Sequence, residues 1–262
     1  MWNLSFISEQ DFKHHVHRTI QNYGDKLVPY DLKRFNSNIV DPIKLIFDKS
    51  IYQYSWDEII KNEIFRQRDK SNNNDIGYFH QRIFQYMDGC SVPQAGWDVI
   101  VSQKGRRIEL PECGSVKTIY VEMKNKHNTM NSASSAKTYM KMQGQLLQDD
   151  DCACLLVEAN AKTSQNITWT VSLDGTKQKH RRIRRVSMDE FYRIVTGQDD
   201  AFYQMCMALP STIQEVLSSS DGLVTPHDTV IEELQQIADK KGGSFALALY
   251  MLGFGSYKGF SA

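Results

Sequence analysis

The run Cys152-Ala-Cys-Leu-Leu-Val-Glu158 constrains the fold more than any other segment of this chain. It is a short apolar stretch bounded by polar residues, with Asp149-Asp150-Asp151 before it and Asn160 after it. It is too short for a core-spanning helix and suits a buried strand. Upstream, Thr118–Lys124 alternates, with Ile119, Val121 and Met123 on one face, as a strand does. Between the two, residues from about Ala136 to Leu147 read as a helix carrying Tyr139, Met140, Leu146 and Leu147 on one side. Further strands are expected at Trp97–Val101, Arg107–Leu110, Ile167–Leu173 and Arg182–Val186, with turns at Lys104-Gly105 and Asp174-Gly175.

Helices flank this central block. Phe12, Val16 and Ile20 recur every four positions between a cap at Ser8 and a stop at Gly24. Ser55 with Glu58 forms a capping box for a helix carrying Ile59, Ile60, Glu63 and Ile64. Lys70-Ser-Asn-Asn-Asn-Asp75 reads as a loop by composition, before a second helical face of Ile76, Phe79, Ile83, Phe84 and Met87 closed by Gly89. Past the strands, Ser187 with Glu190 suggests a second capping box, a helix spans about Ala201–Leu217 with Pro210 as a break or kink, and Thr225-Pro226 precedes a helix ending at Gly242-Gly243. The expected architecture is a single α/β domain, 1–262, with a mixed sheet. It has a helical N-terminal part (1–90), a sheet core (91–186) and a helical C-terminal part (187–262).

Composition excludes several classes. With 41% hydrophobic and 24% charged residues the chain is neither disordered nor fibrous. No apolar stretch approaches the ~20 residues needed to span a bilayer, and the N-terminus lacks the order of a secretory signal, so a cytoplasmic protein is expected. The five cysteines form no Cys-x-x-Cys pair, which suits reduced thiols rather than a disulfide frame or a zinc site. The 31 basic residues balance the 31 acidic ones, but unevenly. Residues 117–147 hold five Lys against one Glu, and residues 177–185 hold six Lys or Arg and no acid. A basic surface is thus set against an acidic remainder, which favours a local polyanion contact.

The chemistry centres on Asp98, Glu122 and Lys124. Residues two apart on a strand face the same way, so Glu122 and Lys124 sit side by side while Met123 faces the opposite layer. If Asp98 lies on the adjacent strand, the two carboxylates form a hard-oxygen pair suited to Mg2+, and the lysine can orient a water or steady developing negative charge. By spacing alone, the plainer reading of Glu122 and Lys124 is a surface salt bridge.

Asp98…Glu122-Met123-Lys124 resembles the Asp…Glu-x-Lys signature of the PD-(D/E)xK nucleases. Val121-Glu-Met-Lys-Asn-Lys-His-Asn-Thr-Met-Asn131, Lys137-Thr-Tyr139, Phe191-Tyr-Arg-Ile-Val-Thr-Gly197 leading to Leu209-Pro210, and Phe254-Gly-Ser-Tyr-Lys-Gly-Phe260 are similar to a type II restriction endonuclease family that cleaves GGNCC. The resemblance covers nearly the whole chain. It implies the PD-(D/E)xK restriction-endonuclease-like fold, a central mixed sheet flanked by helices, and Mg2+-dependent, sequence-specific hydrolysis of double-stranded DNA giving 5′-phosphate ends. It also implies a homodimer on a palindromic target and a cognate DNA methyltransferase in the host. Asp98, Glu122 and the Met123 carbonyl would hold the metal, with Glu63 as an additional acid. The family often has proline before its first acid, whereas Trp97 stands there in this chain, which leaves Glu109 and Asp88 as lesser candidates for that role.

DNA contacts are expected from Asn125, Lys126, His127, Asn128, Asn131, Ser132 and Lys137 after the catalytic strand, and from Lys179, Arg181, Arg182, Arg184 and Arg185 in the basic run. The plainer readings are a polar loop and a solvated strand edge. His14, His15 and His17 read as helix surface, and Tyr139 as packing. Two alternatives stay open: a structure-specific PD-(D/E)xK nuclease such as a junction resolvase or repair nickase, which would not cut plasmid DNA into discrete bands, and a non-catalytic DNA-binding protein.

Overall fold

Six consecutive side chains of Cys152–Asn160 (β6), from Cys152 to Val157, are fully shielded from solvent, and the rest of the sheet is arranged around them. In the computed structural model, which describes residues 2–103, 105–127, 130–219, 226–258 and 260, β6 lies at the centre of a six-stranded mixed sheet. The other strands are β1 (Cys90–Ser91), β2 (Val99–Val101), β5 (Thr118–Lys126), β7 (Asn166–Leu173) and β8 (Thr176–Ser187), in the order β1-β2-β5-β6-β8-β7. β6 runs parallel to both β5 and β8, while β2 pairs antiparallel with β5 and β7 with β8. The expected strand Arg107–Leu110 stands apart: Ile108–Leu110 (β3) pairs only with Gly114–Val116 (β4) in a separate ribbon.

A strand buried on both faces needs cover on both. On one face Ala153, Leu155 and Val157 join Val99, Val101, Ile119 and Val121 under residues from α1 (Glu9–Gly24), α6 (Met188–Thr196) and α7 (Ala201–Ser219). On the other, Cys152, Cys154 and Leu156 pack with Tyr139, Met142 and Leu146 of α5 (Ser132–Gln148), which links β5 to β6. α5 begins four residues earlier than expected because Asn131 caps it, its Oδ1 accepting from the Ser134 N–H at 2.8 Å. The Asp174-Gly175 turn has positive φ at both residues (48° and 80°), as a two-residue hairpin requires.

The chain divides into two compact units. One comprises 1–20 and 75–221 and holds the sheet; the other comprises 21–74 and 222–262. The second unit packs α2 (Leu32–Asn36), α3 (Pro42–Tyr52), most of α4 (Trp56–Arg82), α8 (Val230–Lys240) and α9 (Phe245–Phe254) around Phe35, Ile60, Leu234 and Leu249. The Ser55–Glu58 capping box forms as expected, with reciprocal bonds of 2.8 and 3.2 Å. The expected Ser187–Glu190 box does not: the Ser187 hydroxyl accepts from the Gln165 N–H and donates to Asp189 instead. Of the remaining turn and cap residues, Lys104 and Thr225 lie outside the described residues.

Residues 70–75 are helical, not a loop, since α4 runs unbroken from Trp56 to Arg82. Asn in a helix costs only ~0.7 kcal/mol relative to Ala, and turns anchored by Ile64 on one side and by Phe79 on the other outweigh that. Asn73 also bonds back to the Asp69 carbonyl and carboxylate at 3.1 and 2.9 Å. Pro210 likewise lies inside a continuous α7. The centrality of β6 predicts that Leu155→Ala lowers the unfolding free energy by about 2–5 kcal/mol, read as a fall in the urea midpoint.

Candidate active site

The sheet pleat places the chemistry. In β5, Ile119 and Val121 point into one core, so Glu122 and Lys124 emerge on the other face, the one that α5 covers. Lys124 Nζ lies 3.0 Å from Glu122 Oε1. Asp98 immediately precedes β2, and its N–H bonds to the Val121 carbonyl at 3.0 Å. Its Oδ2 accepts from the Met123 N–H at 2.7 Å, so both acids are anchored on the same short stretch of β5. The N–H and C=O of one strand residue point to the same edge, so the Met123 carbonyl is directed toward the side where Asp98 sits. Asp88 and Glu109 are both exposed, Glu109 on the separate ribbon, and it is Asp98 that bonds to this segment.

A residue the sequence analysis missed completes the cluster. Lys141 of α5 places Nζ 2.8 Å from Glu122 Oε2, bonds the Gly96 carbonyl, and lies 4.0 Å from the centroid of the Trp97 ring. Trp97 Nε1 donates to Gln145 Oε1 at 3.3 Å. Trp97, which stands where the resemblance leads one to expect proline, therefore ties the entry to β2 onto α5. Spacing along α5 puts Lys141 and Gln145 one helical turn apart on one face, but nothing in the sequence ties that face to Glu122.

The two carboxylates are tuned in opposite senses. Burial and the neighbouring Glu122 charge push Asp98 above the ordinary value, against the Met123 N–H, which pulls it down. Burial would also raise Glu122, but the hydrogen bonds from Lys141 and Lys124 outweigh it and hold Glu122 below its ordinary value.

A second ion pair lies on the same face. Glu158 of β6 is in register with Lys124, and its buried carboxylate accepts from Arg185 at 2.5 and 3.0 Å and contacts His127 Nδ1 at 3.0 Å. Burial acts to raise Glu158, yet these two partners bring it down. Arg185 and His127 thus lie on the face that carries Glu122 and Lys124.

The other expected DNA contacts divide. Lys137, Lys179 and Arg181 are exposed, as are Asn131 and Ser132 at the start of α5 and Lys126 at the end of β5. Asn125 is bonded through its carbonyl and side chain to Asn160, and Asn128 lies outside the described residues. Arg182 is tied to the carbonyls of Asp150 and Cys152. Arg184 is a correction: it is 1% exposed, its guanidinium held by Asn166, Thr168 and Glu112, because consecutive residues of β8 must face opposite ways. β6 separates the basic run of β8 from β5. Leu156 aligns with both Glu122 and Arg185, and Lys179 is six residues earlier, ~20 Å down the strand.

Glu63, expected as an additional acid, is buried in the second unit, where Arg66 bonds both of its oxygens at 2.6 and 2.7 Å and Gln67 adds a third bond at 3.0 Å. His15 is buried against Phe79 rather than on a surface, with its Nε2 2.9 Å from the Phe79 carbonyl. Tyr139 packs edge-on to Trp169, as expected.

Among the described residues no three His, Cys, Asp or Glu side chains converge on one point. Two carboxylates and a directed backbone carbonyl form an incomplete, all-oxygen set. That fits Mg2+, which keeps several waters and is usually held by one or two carboxylates plus substrate phosphates. The large concavity of about 970 Å3 lined by Phe6, Tyr86, Asp88 and Arg106 contains none of this cluster. An open, carboxylate-and-lysine site beside a basic surface is suited to hydrolysing a phosphodiester in a large polyanion.

The comparisons with known proteins agree with that class. The model of the Eco47II restriction endonuclease family matches residues 4–218, and the chain belongs to that family: it is a restriction endonuclease, a hydrolase that cleaves DNA. It is 29% identical over 220 residues to the type II restriction enzyme Sau96I of Staphylococcus aureus, covering 81% of this chain and 80% of that one. It is 28% identical over 228 residues to the type II restriction enzyme Eco47II of Escherichia coli, covering 84% and 90% respectively. No helix among the described residues is long and apolar enough to cross a membrane.

The opposed tuning of the acids predicts opposite effects on stability. The Asp98 penalty is absent below the ordinary 3.8, where the group is neutral in both states, and complete above its raised folded value. Asp98→Asn, which keeps an acceptor for Met123, therefore raises the thermal midpoint at pH 8, by an amount that shrinks toward pH 3.8. The Glu122 contribution is complete above the ordinary 4.5 and is lost as pH falls through its lowered folded value, so Glu122→Gln lowers the midpoint at pH 8. Scanning calorimetry of both variants checks this, and shifts of the same sign contradict it.

Proposed function

We propose that the protein is a type II restriction endonuclease with a PD-(D/E)xK fold and site, cutting double-stranded DNA with Mg2+ at GGNCC. The observation that carries this reading is the anchoring of Asp98 and Glu122 on one stretch of β5, with Lys124 paired to Glu122 on the same face. The order antiparallel β2–β5, helix α5, parallel β6 supports the fold reading. Asp98, Glu122 and the Met123 carbonyl would hold the metal; Glu63, occupied by Arg66 and Gln67, is not in the set.

Bound there, the metal would supply Lewis acidity toward the scissile phosphate and the departing oxygen. The protein's own share is positioning. Lys124, on the same face as Glu122, holds the attacking water against the phosphorus and offsets negative charge as it builds. A P–O bond forms to the water oxygen and the P–O3′ bond breaks. The water loses a proton to solvent and the 3′ oxygen gains one, leaving 5′-phosphate and 3′-hydroxyl ends. Arg185 and His127, both bonded to Glu158, would grip phosphates, with Lys126, Asn131, Ser132 and Lys137 adding contacts and Lys179 and Arg181 farther off. A palindromic target implies a homodimer, one site per strand. A cytoplasmic enzyme of this kind needs a cognate methyltransferase to protect host DNA.

The test is a Mg2+ digest of DNA of known sequence followed by mapping of the ends. Ends at GGNCC support the reading, another uniform site keeps the mechanism and removes the specificity, and cutting only at branched structures favours a junction or repair nuclease. Lys124→Ala should lower cleavage by at least ~100-fold while leaving specific binding in Ca2+ intact. Undiminished cutting by that variant contradicts the assignment.

A further inference from the structure

We propose that Lys141 is a charge gate on cation loading, keeping the Asp98–Glu122 site weak for divalent metal until a DNA phosphate arrives to draw its ammonium away. This rests on the preceding reading of the two acids as metal ligands. Each oxygen of Glu122 already has a cation: Oε1 faces Lys124 at 3.0 Å and Oε2 faces Lys141 at 2.8 Å. With Asp98 and Glu122 ionised and both lysines protonated, the four side chains sum to zero charge. A dication entering this group meets an ammonium on each Glu122 oxygen, with no net negative field to hold it.

The two lysines are not equivalent. Lys124 projects from β5, and Glu122 is the side chain with which it pairs. Lys141 has a second seat, on the Gly96 carbonyl and over the Trp97 ring at 4.0 Å, so it can release Glu122 without losing every partner. Its side chain is also the more exposed of the two, at 38% against 31% for Lys124. An incoming phosphate therefore draws Lys141 first and frees Glu122 Oε2, while bringing the extra negative charge and oxygen ligands that a two-carboxylate magnesium site lacks. Loading and DNA binding are then coupled, and by linkage each tightens the other by the same factor. Such a gate keeps the hydrolytic centre empty on the free enzyme and completes it on the substrate.

The experiment is a titration of the full chain with Mn2+ alone, without DNA, at pH 8, following free Mn2+ by electron paramagnetic resonance. Lys141→Met keeps a stem to cover Trp97 and removes the charge, and it should bind Mn2+ about tenfold tighter than the wild type. Lys141→Arg, which keeps the charge, should bind as the wild type does. Equal or weaker Mn2+ binding by Lys141→Met, with near-ultraviolet circular dichroism unchanged, overturns the gate; if that variant does not fold, Lys141→Gln is read in its place by the same criterion. Adding Asp98→Asn to Lys141→Met separates the two claims. Loss of the tight Mn2+ binding supports the reading of the acids as ligands, whereas retention defeats that reading and the gate with it.

Discussion

The alternation of β5 is the constraint on which the rest depends. Its odd-numbered residues Ile119 and Val121 are locked into a core shared with β2 and β6, so its even-numbered residues must face α5. A one-residue slip would bury Glu122 and Lys124 and expose the apolar set, a far larger loss than any single contact. The position of the charged pair is therefore enforced by hydrophobic burial, not by the pair itself. Glu122 then collects two ammonium groups, and Asp98 is drawn in through the Met123 N–H.

Enforced burial also strains the acid cluster electrostatically. Asp98 is held ionisable against burial and against Glu122, a cost that the surrounding packing offsets. The sheet also sorts the basic residues by parity and level. Arg184 is consumed inside the fold, Arg185 is held by Glu158 on the face that carries Glu122, and Lys179 and Arg181 sit lower on β8. Local positive charge is thus delivered at two levels along the strands while the whole chain stays neutral.

The parts legible in sequence were those governed by a short period. Two-residue alternation gave the facing of Glu122 and Lys124, and an apolar run gave the buried β6. What a linear reading could not supply was set by partners distant along the chain. The polar stretch 70–75 looks like a loop by composition, yet turns anchored on either side of it make it helical. The buried fate of Arg184 depends on Asn166, Thr168 and Glu112, and Lys141 reaches Glu122 only because α5 crosses the sheet face. The second unit joins 21–74 to 222–262, segments with no sequence pattern in common.

The central claim is that Asp98 and Glu122 hold the metal beside Lys124 when DNA is bound. Anomalous diffraction from Mn2+ in crystals of the protein with a duplex containing GGNCC tests it most directly. The account predicts a peak within bonding distance of the Asp98 and Glu122 carboxylates, with the Met123 carbonyl among the ligands. A bound duplex with no metal at that position, or with metal only at other acids such as Glu63, would contradict it.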